Sequence, residues 1–263
     1  MPYPITKLAY GLRCRLIELA TPKERYQLQI ANGNVLLCPQ KLIPASKISI
    51  FTSRFDLTPP DITKVDTYGE ENRIVICEHT VTFVGATTWD LTFDNKLYHN
   101  VLLRPQLIVL QNCLISEQFM IKLAALTATL NVETIRVDGF NIQPLDLADI
   151  LKVFPNLKEL DVRNVMLPKT WLTDIMRLKK NNLRLMAIEC INILNVLNKN
   201  ELLTFLKWQP KTFQLNLEVS SVHKQDRRYT ELVEFVNDKL KEKAYAQVNV
   251  SIGTNYSLTK KKL

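Results

Sequence analysis

The chain has 263 residues, of which 46% are hydrophobic and 23% charged, proportions typical of a folded globular protein rather than a disordered one. Only six glycines occur, which disfavours phosphate-cradling loops, and no apolar run approaches the ~18 residues needed to cross a bilayer. The five cysteines never stand in CxxC spacing and follow no signal-like N-terminus, which predicts reduced thiols in the cytoplasm or nucleus.

The net charge of +8 is concentrated at the two ends of the chain. Residues 1–35 carry +3 and residues 224–263 carry +4, whereas the long middle is nearly neutral. Because no continuous basic stripe follows the body, an RNA-associated protein that uses its basic ends is only a distant alternative. The run Lys260, Lys261 and Lys262 suits nucleic acid or an acidic protein surface, although such runs are usually simply solvated.

Two short helices are predicted near the N-terminus. Leu8, Leu12 and Leu16 recur at the four-residue steps of one helix face. Thr21 followed by Pro22 is the typical N-cap and first position of a second helix.

The stretch of residues 39–72 is rich in Pro, Ser and Thr and is interpreted as a connector, with one candidate strand at residues 47–51. Strand-like runs follow at residues 73–77 and 80–84.

From residue 108 onward the sequence repeats itself, as in an array of equivalent structural units. Five eight-residue segments are apolar at their first, third and eighth positions, and the first four are also apolar at the sixth. They begin at residues 108, 135, 160, 186 and 215, which gives a period of 25 to 29 residues. Val81 lies 27 residues before the first start and is a candidate for an irregular opening unit.

A helical pattern follows each of these predicted strands, and the first is capped by Ser116 and covers residues 117–130. Units of one strand and one helix cannot bury their own apolar faces, so they are expected to stack as a solenoid. The alternative is a doubly wound α/β domain. Its strands would be longer and more uniformly apolar, and its ligand site would need a glycine-rich turn.

The repeated unit resembles the leucine-rich repeat, whose template is LxxLxLxxN/CxL. Leu157, Leu160, Val162 and Leu167 occupy four of its five marked positions. Only Cys113 matches at the Asn or Cys position, which predicts irregular turns. The resemblance covers roughly residues 104–253.

The N-terminal segment resembles the F-box motif, LPxxLLxxILxxLSPxDLxxLxxV. Residues 8–31 follow it without a gap, although Ala9 replaces its proline and Ala20 and Arg25 replace two of its leucines. The resemblance implies that this segment binds a Skp-type adaptor and that the repeats present a protein substrate to a cullin-based ubiquitin ligase. The implied adaptor-binding residues are Leu8, Leu12, Leu16, Pro22 and Leu28. The alternative is a generic helical cap on the first repeat, with these side chains buried near Ile74 and Val81.

In a leucine-rich repeat, the strand residues between the buried positions point to the concave face, which is the predicted partner-binding surface. Pairing of Arg136 with Asp161 and of Arg163 with Asp138 is expected there, for little net stability. The predicted residues of this surface are Gln111, Arg136, Asp138, Asp161, Arg163, Glu189, Asn216 and Glu218.

No catalytic, cofactor-binding or metal-binding residue is predicted. His79, His99 and His223 lack an acidic or cysteine partner at ligand spacing, and the sequence holds no nucleophile elbow, GxGxxG or Walker loop. Asp90 and Asp94 lie in a run that alternates like a half-exposed strand.

The sequence therefore predicts an α/β protein in four parts: an F-box-like helical module at residues 1–38, a connector at 39–72, a leucine-rich-repeat-like solenoid at 73–255 and a basic tail at 256–263. Its predicted function is that of a non-catalytic adaptor, the substrate-recognition subunit of a Skp-cullin-F-box ubiquitin ligase, without a membrane contact. The alternative is a stand-alone repeat scaffold that binds a protein partner without any ubiquitin link.

Overall fold

The computed structural model of the chain describes residues 7–32, 41–51, 73–91, 98–139, 143–178, 182–220, 225–240 and 247–253. The strands are β1 (Lys41–Phe51), β2 (Arg73–Val84), β3 (Val101–Leu103), β4 (Leu107–Gln111), β5 (Thr134–Asp138), β6 (Glu159–Val165), β7 (Leu185–Cys190), β8 (Gln214–Ser220) and β9 (Gln247–Gly253). The helices are α1 (Tyr10–Leu19), α2 (Pro22–Asn32), α3 (Glu117–Leu126), α4 (Leu147–Val153), α5 (Trp171–Met176), α6 (Ile193–Val196), α7 (Lys199–Trp208) and α8 (Arg227–Phe235).

All nine of the described strands belong to one sheet, and every pairing between them is parallel. The sheet runs from β1 to β9 in chain order, with β3 beside the first half of β2. Within the described residues the strand order never reverses, whereas a doubly wound sheet has a switch point at which it does. The predicted α/β class is confirmed.

The inward residues of β5, β6 and β7 form buried rows across the sheet. One row is Ile135, Leu160 and Met186, and the next is Val137, Val162 and Ile188. Leu123 of α3, Ile150 of α4 and Ile175 of α5 are fully buried in the same cluster. The expected parallel strands and their helical cover are therefore confirmed.

The sheet begins earlier than predicted. β1 starts at Lys41, inside the predicted connector, and pairs with β2 along its length. The two strand-like runs expected at residues 73–77 and 80–84 form the single strand β2. This strand is continuous because β3 pairs with its first half and β4 with its second. Val81 lies opposite Ile108, as expected for an opening unit.

Four residues at or near the ends of described strands share one backbone feature. The backbone angle φ is positive at one residue after each of β2, β4 and β5, namely Gly85 (67°), Asn112 (51°) and Gly139 (143°). It is also positive at Asn164 (56°), which lies within β6. The Gly85 N–H donates to the Gln111 carbonyl at 2.9 Å, and the Asn112 N–H donates to the Asp138 carbonyl at 2.8 Å. Gly and Asn tolerate this backbone region, so they allow the chain to turn at these positions.

The pairing of β6 with β7 shows where the predicted repeat pattern fails, which is in β7. The register between β6 and β7 shifts after Arg163, so Val165 lies opposite Cys190. In β7 the alternation of inward residues continues to Cys190, which is 2% exposed, whereas Ile191, which the repeat pattern assigned to the buried sixth position, is 46% exposed. The register shift follows from the left-handed Asn164, which adds one residue to β6.

The expected strand around Asp90 is also wrong. Residues 88–91 form a turn, in which the Thr87 N–H and hydroxyl donate to the Asp90 carboxylate at 2.8 and 2.7 Å. Asp94 lies outside the described residues. Asp90 therefore has a structural role in closing this turn.

Candidate protein-binding surfaces

The helix α2 begins with a reciprocal capping box. The Glu24 N–H donates to the Thr21 hydroxyl oxygen at 3.3 Å, and the Thr21 N–H and hydroxyl donate to the Glu24 carboxylate at 2.8 and 2.9 Å. These bonds stabilise the charged carboxylate, so the pKa of Glu24 lies below its usual range. Pro22 occupies the first helical position, as predicted.

The helices α1 and α2 enclose an open apolar groove of about 500 Å³, here called the α1–α2 groove. Its lining residues are Leu16, Leu19, Ala20, Glu24, Gln27, Leu28 and Ala31. The structure thus brings together two of the predicted adaptor-binding residues, Leu16 and Leu28. Leu8 precedes α1, Leu12 lies in α1 and Pro22 begins α2, and none of the three is among the residues that line the groove.

The side chains of α1, which forms one wall of the α1–α2 groove, are not buried against the sheet. No residue of α1 is buried, and Leu12 and Leu19 are 61% and 69% exposed. At the start of α2, the Lys23 N–H donates to the His99 carbonyl at 3.0 Å, which attaches the helix to the sheet. Leu16 and Leu28 are half-buried and do not belong to the core cluster, in which the alternative of a helical cap would bury them.

Leu19 is a groove residue that the sequence prediction did not select. Its signal was present, because it stands three residues after Leu16 and therefore on the same face of the helix. Two of the residues that depart from the F-box pattern contact each other, since the Arg25 Nε donates to the Ala20 carbonyl at 3.0 Å. The polar substitution is thereby satisfied at the junction of the two helices.

The second surface is the side of the sheet opposite the helices, here called the outward face. It consists of alternate strand residues that lie in two registered rows across β4 to β8. One row is Val109, Arg136, Asp161, Ala187 and Asn216, and the other is Gln111, Asp138, Arg163, Glu189 and Glu218. All eight residues predicted for the partner-binding surface lie in these rows, and each is exposed or half-buried.

Arg136 and Arg163 of the outward face both form an ion pair with the carboxylate of Asp161. The Arg163 Nε donates to Asp161 Oδ1 at 3.0 Å and its Nη2 to Oδ2 at 3.3 Å, while the Arg136 Nε lies 4.0 Å from Asp161 Oδ2. The hydrogen bond to Asp161 raises the pKa of Arg163. The expected pair of Arg136 with Asp161 is present. The expected pair of Arg163 with Asp138 is replaced, because the amide of Asn164 in the bulge donates to Asp138 at 2.9 Å.

The β7–β8 end of the outward face is anionic. Glu189 and Glu218 stand opposite each other in register on these neighbouring strands. Burial, followed by repulsion from Glu218, raises the pKa of Glu189. Among the described residues, no ion pair within 4.0 Å reaches either carboxylate. The adjacent Asn216 accepts a hydrogen bond from the neutral amide of Asn249 at 2.9 Å, so no cation is supplied from that side.

The described parts of the chain offer little for other kinds of site. They contain no group of three or more His, Cys, Asp or Glu side chains that could hold a metal ion. None of their helices has the length and apolar character needed to cross a membrane. Burial raises the pKa of Cys113 to about 11 and that of Cys190 to about 12, which keeps both thiols protonated at neutral pH.

Neither a protein-family model, nor a curated protein, nor a solved structure matches the chain. The function therefore has to be argued from the α1–α2 groove and the outward face.

Proposed function

We propose that the protein is a non-catalytic, protein-binding adaptor, the substrate-recognition subunit of a Skp-cullin-F-box ubiquitin ligase. In this proposal α1 and α2 are an F-box-like module that binds a Skp-type adaptor. The sheet and its helices are a leucine-rich-repeat-like solenoid whose outward face binds a protein substrate. The observation that carries the proposal is the apolar groove that α1 and α2 leave open.

Two features support the solenoid. The strands follow one another in chain order, each paired in parallel with the next, and the inward residues recur at the 25-to-29-residue period of the sequence. Each unit therefore buries its apolar side against its two neighbours, which is how repeat proteins are stabilised.

The proposal also fits the state of the cysteines. Among the described residues, the thiols of Cys14, Cys77, Cys113 and Cys190 form no disulfide, which suits the cytoplasm or nucleus, where thiols stay reduced.

The exposure of α1 supports the adaptor-binding role. A helix with two leucines more than half exposed and no buried residue gains little from its own chain. Burial of such side chains by a partner is favourable by roughly 25 cal/mol per Å² of apolar surface. The order of the parts, with a helical pair ahead of a repeat domain, matches the order that the F-box resemblance implies.

The double variant Pro22→Ala with Leu28→Asp tests this assignment. We expect the wild type to capture a purified Skp-type adaptor and the double variant to lose capture, because a charge enters the groove. The thermal midpoint of the double variant should change little, since Leu28 is only half-buried. Ile30→Asp is the matched control, because Ile30 is 56% exposed on the same helix and lies outside the groove.

Two outcomes would remove the adaptor-binding role. One is the absence of capture by the wild type. The other is a loss of several kcal/mol of stability in the double variant, as expected if a charge entered an internal core. The outward face would then favour the second candidate function, a stand-alone scaffold for one protein partner. That scaffold would bind its partner without a Skp-type adaptor or a cullin.

A further inference from the structure

The last described strand, β9, pairs with β8 and therefore lies beside the anionic end of the outward face. In the pairing of β8 with β9, Ser251 lies opposite Glu218 and Gly253 lies opposite Ser220. Residues 254–263 follow directly, and they lie outside the described residues. Their sequence contains Lys260, Lys261 and Lys262 and no acidic residue.

We infer that this basic segment, residues 254–263, docks on the β7–β8 end of the outward face, with its lysines against Glu189 and Glu218. The occupant is thus a part of the same chain. The inference goes beyond the proposed function, because it depends on neither the α1–α2 groove nor a ubiquitin ligase.

The distances allow this contact. An extended chain spans about 3.3 to 3.6 Å per residue, so Lys260 can reach roughly 23 Å from Gly253. Neighbouring strands are about 4.8 Å apart, so Glu218 is one strand from Ser251 and Glu189 is two strands, roughly 10 Å, away. The segment has length to spare and can turn back over the face after leaving β9.

The charges select this end of the face. Near β5 and β6 the guanidinium groups of Arg136 and Arg163 gather on Asp161, and they repel a lysine run. Near β7 and β8, Glu189 and Glu218 stand opposite each other, and Arg163, the cation in register with Glu189, donates its hydrogen bonds to Asp161 instead. A segment of charge +3 relieves the repulsion between the two carboxylates.

A docked segment would cover part of the surface proposed for the protein substrate. A substrate would then have to displace it, and only a partner that contacts Glu189 and Glu218 more strongly than three lysines would do so. Tethering favours the internal contact, because short flexible links give effective concentrations of about millimolar.

Zero-length carbodiimide cross-linking of the full chain tests the inference. The reagent joins a carboxylate to a lysine amine as an amide, and the oxygen lost from the carboxylate leaves in the urea by-product. We expect intramolecular links from residues 260–262 to Glu189 or Glu218, identified by mass spectrometry. Their yield should fall several-fold in high salt, because screening weakens contacts between exposed charges.

Three variants sharpen this experiment. Replacing the three lysines by glutamine, or combining Glu189→Gln with Glu218→Gln, should abolish the links. Glu117→Gln, which removes an exposed carboxylate of α3 on the helical side, should leave them unchanged. All the changes of described residues are at the surface, where substitutions usually have small effects on folding.

Links that join two molecules even at high dilution would overturn the inference and indicate a second copy as the occupant. Links distributed equally over the carboxylates of the helices would overturn it as well, since they would show a segment without a preferred site. Capture of a Skp-type adaptor is measured separately, so failure of one proposal leaves the other standing.

Discussion

Single residues at the ends of strands control the path of the chain. Gly139 has φ = 143°, and a Cβ atom added to it would lie only 2.6 to 2.7 Å from the side-chain oxygen and backbone atoms of Asn112. Asn112 itself has a left-handed φ and belongs to the preceding turn. The turns after β4 and β5 therefore touch through their backbones, and the absence of a side chain at Gly139 permits the contact.

Gly139→Ala should destabilise the protein by about 1–3 kcal/mol or more, because strain at positive φ adds to a clash with backbone. Gly11→Ala is the control, since it stands in helix α1 and no atom lies within 4 Å of the position that its new methyl group would take. Alanine should stabilise that helix by up to ~1 kcal/mol. Urea unfolding of both variants measures the effects, and equal shifts would contradict the close approach of the two turns.

Glu24 should make the start of α2 sensitive to pH. Its pKa is lower in the folded chain than its ordinary value of ~4.3, so its contribution to stability is present above that value. The contribution is lost as the pH falls through the folded pKa. Hydrogen exchange of α2 at pH 7 should therefore be faster in Glu24→Gln than in the wild type. The difference should vanish in acid, and a difference that grows there would refute the capping box.

At the scale of elements, periodicity predicted most of the sheet and its helices. The strands β4 to β8 bury alternate residues against helices, and this requirement is visible as an apolar repeat. β1 was largely missed, because its pattern is interrupted by Pro44 and lies in a polar stretch. The bulge at Asn164 could not be foreseen, since it depends on one backbone angle that the repeat pattern does not encode.

The candidate surfaces were predictable to different degrees. The outward residues alternate with the buried ones, so their positions followed from the strands. The hydrogen-bond partners of these residues could not be predicted in the same way. At the bulge, Asn164 donates to Asp138, and Arg163 therefore donates to Asp161. The groove depends on how two helices pack, which no linear pattern specifies.

Leu160→Ala should cost ~2–5 kcal/mol, because Leu160 is 1% exposed between Ile135 and Met186 and a cavity would remain on both sides. Ile191→Ala is the control. It should cost far less, although the sequence repeat assigns Ile191 to the core. Thermal and chemical unfolding would decide, and a large loss in Ile191→Ala would contradict the exposed position of Ile191.

At the scale of the whole molecule, the residues that stabilise the fold are separate from those of the outward face. The core lies between the sheet and the helices, while the outward face contributes exposed charges whose ion pairs are worth at most ~1 kcal/mol each. Substitutions on that face can therefore alter binding without threatening the fold.

Reversal of Arg136 and Arg163 to glutamate should weaken capture of a protein substrate while the thermal midpoint barely moves. Their side chains are 52% and 47% exposed, so no core contact is lost. Arg177→Glu is the control, since this exposed arginine lies just after α5 on the helical side. A quantitative pull-down would compare the amount of substrate captured by the wild type, the double variant and Arg177→Glu. Equal capture by the double variant and the control would place recognition on the helices or loops instead.

The registered rows of the outward face have an evolutionary consequence. Each unit adds one strand, and hence one residue, to each row, so the order of charges across the face is the order of the units along the chain. Loss of the unit that contains β6 and α5 would bring Asp138 beside Glu189 while the inward residues could still pair apolar with apolar. Recombination in steps of 25 to 29 residues would thus reorder the charges of the outward face without a single point substitution.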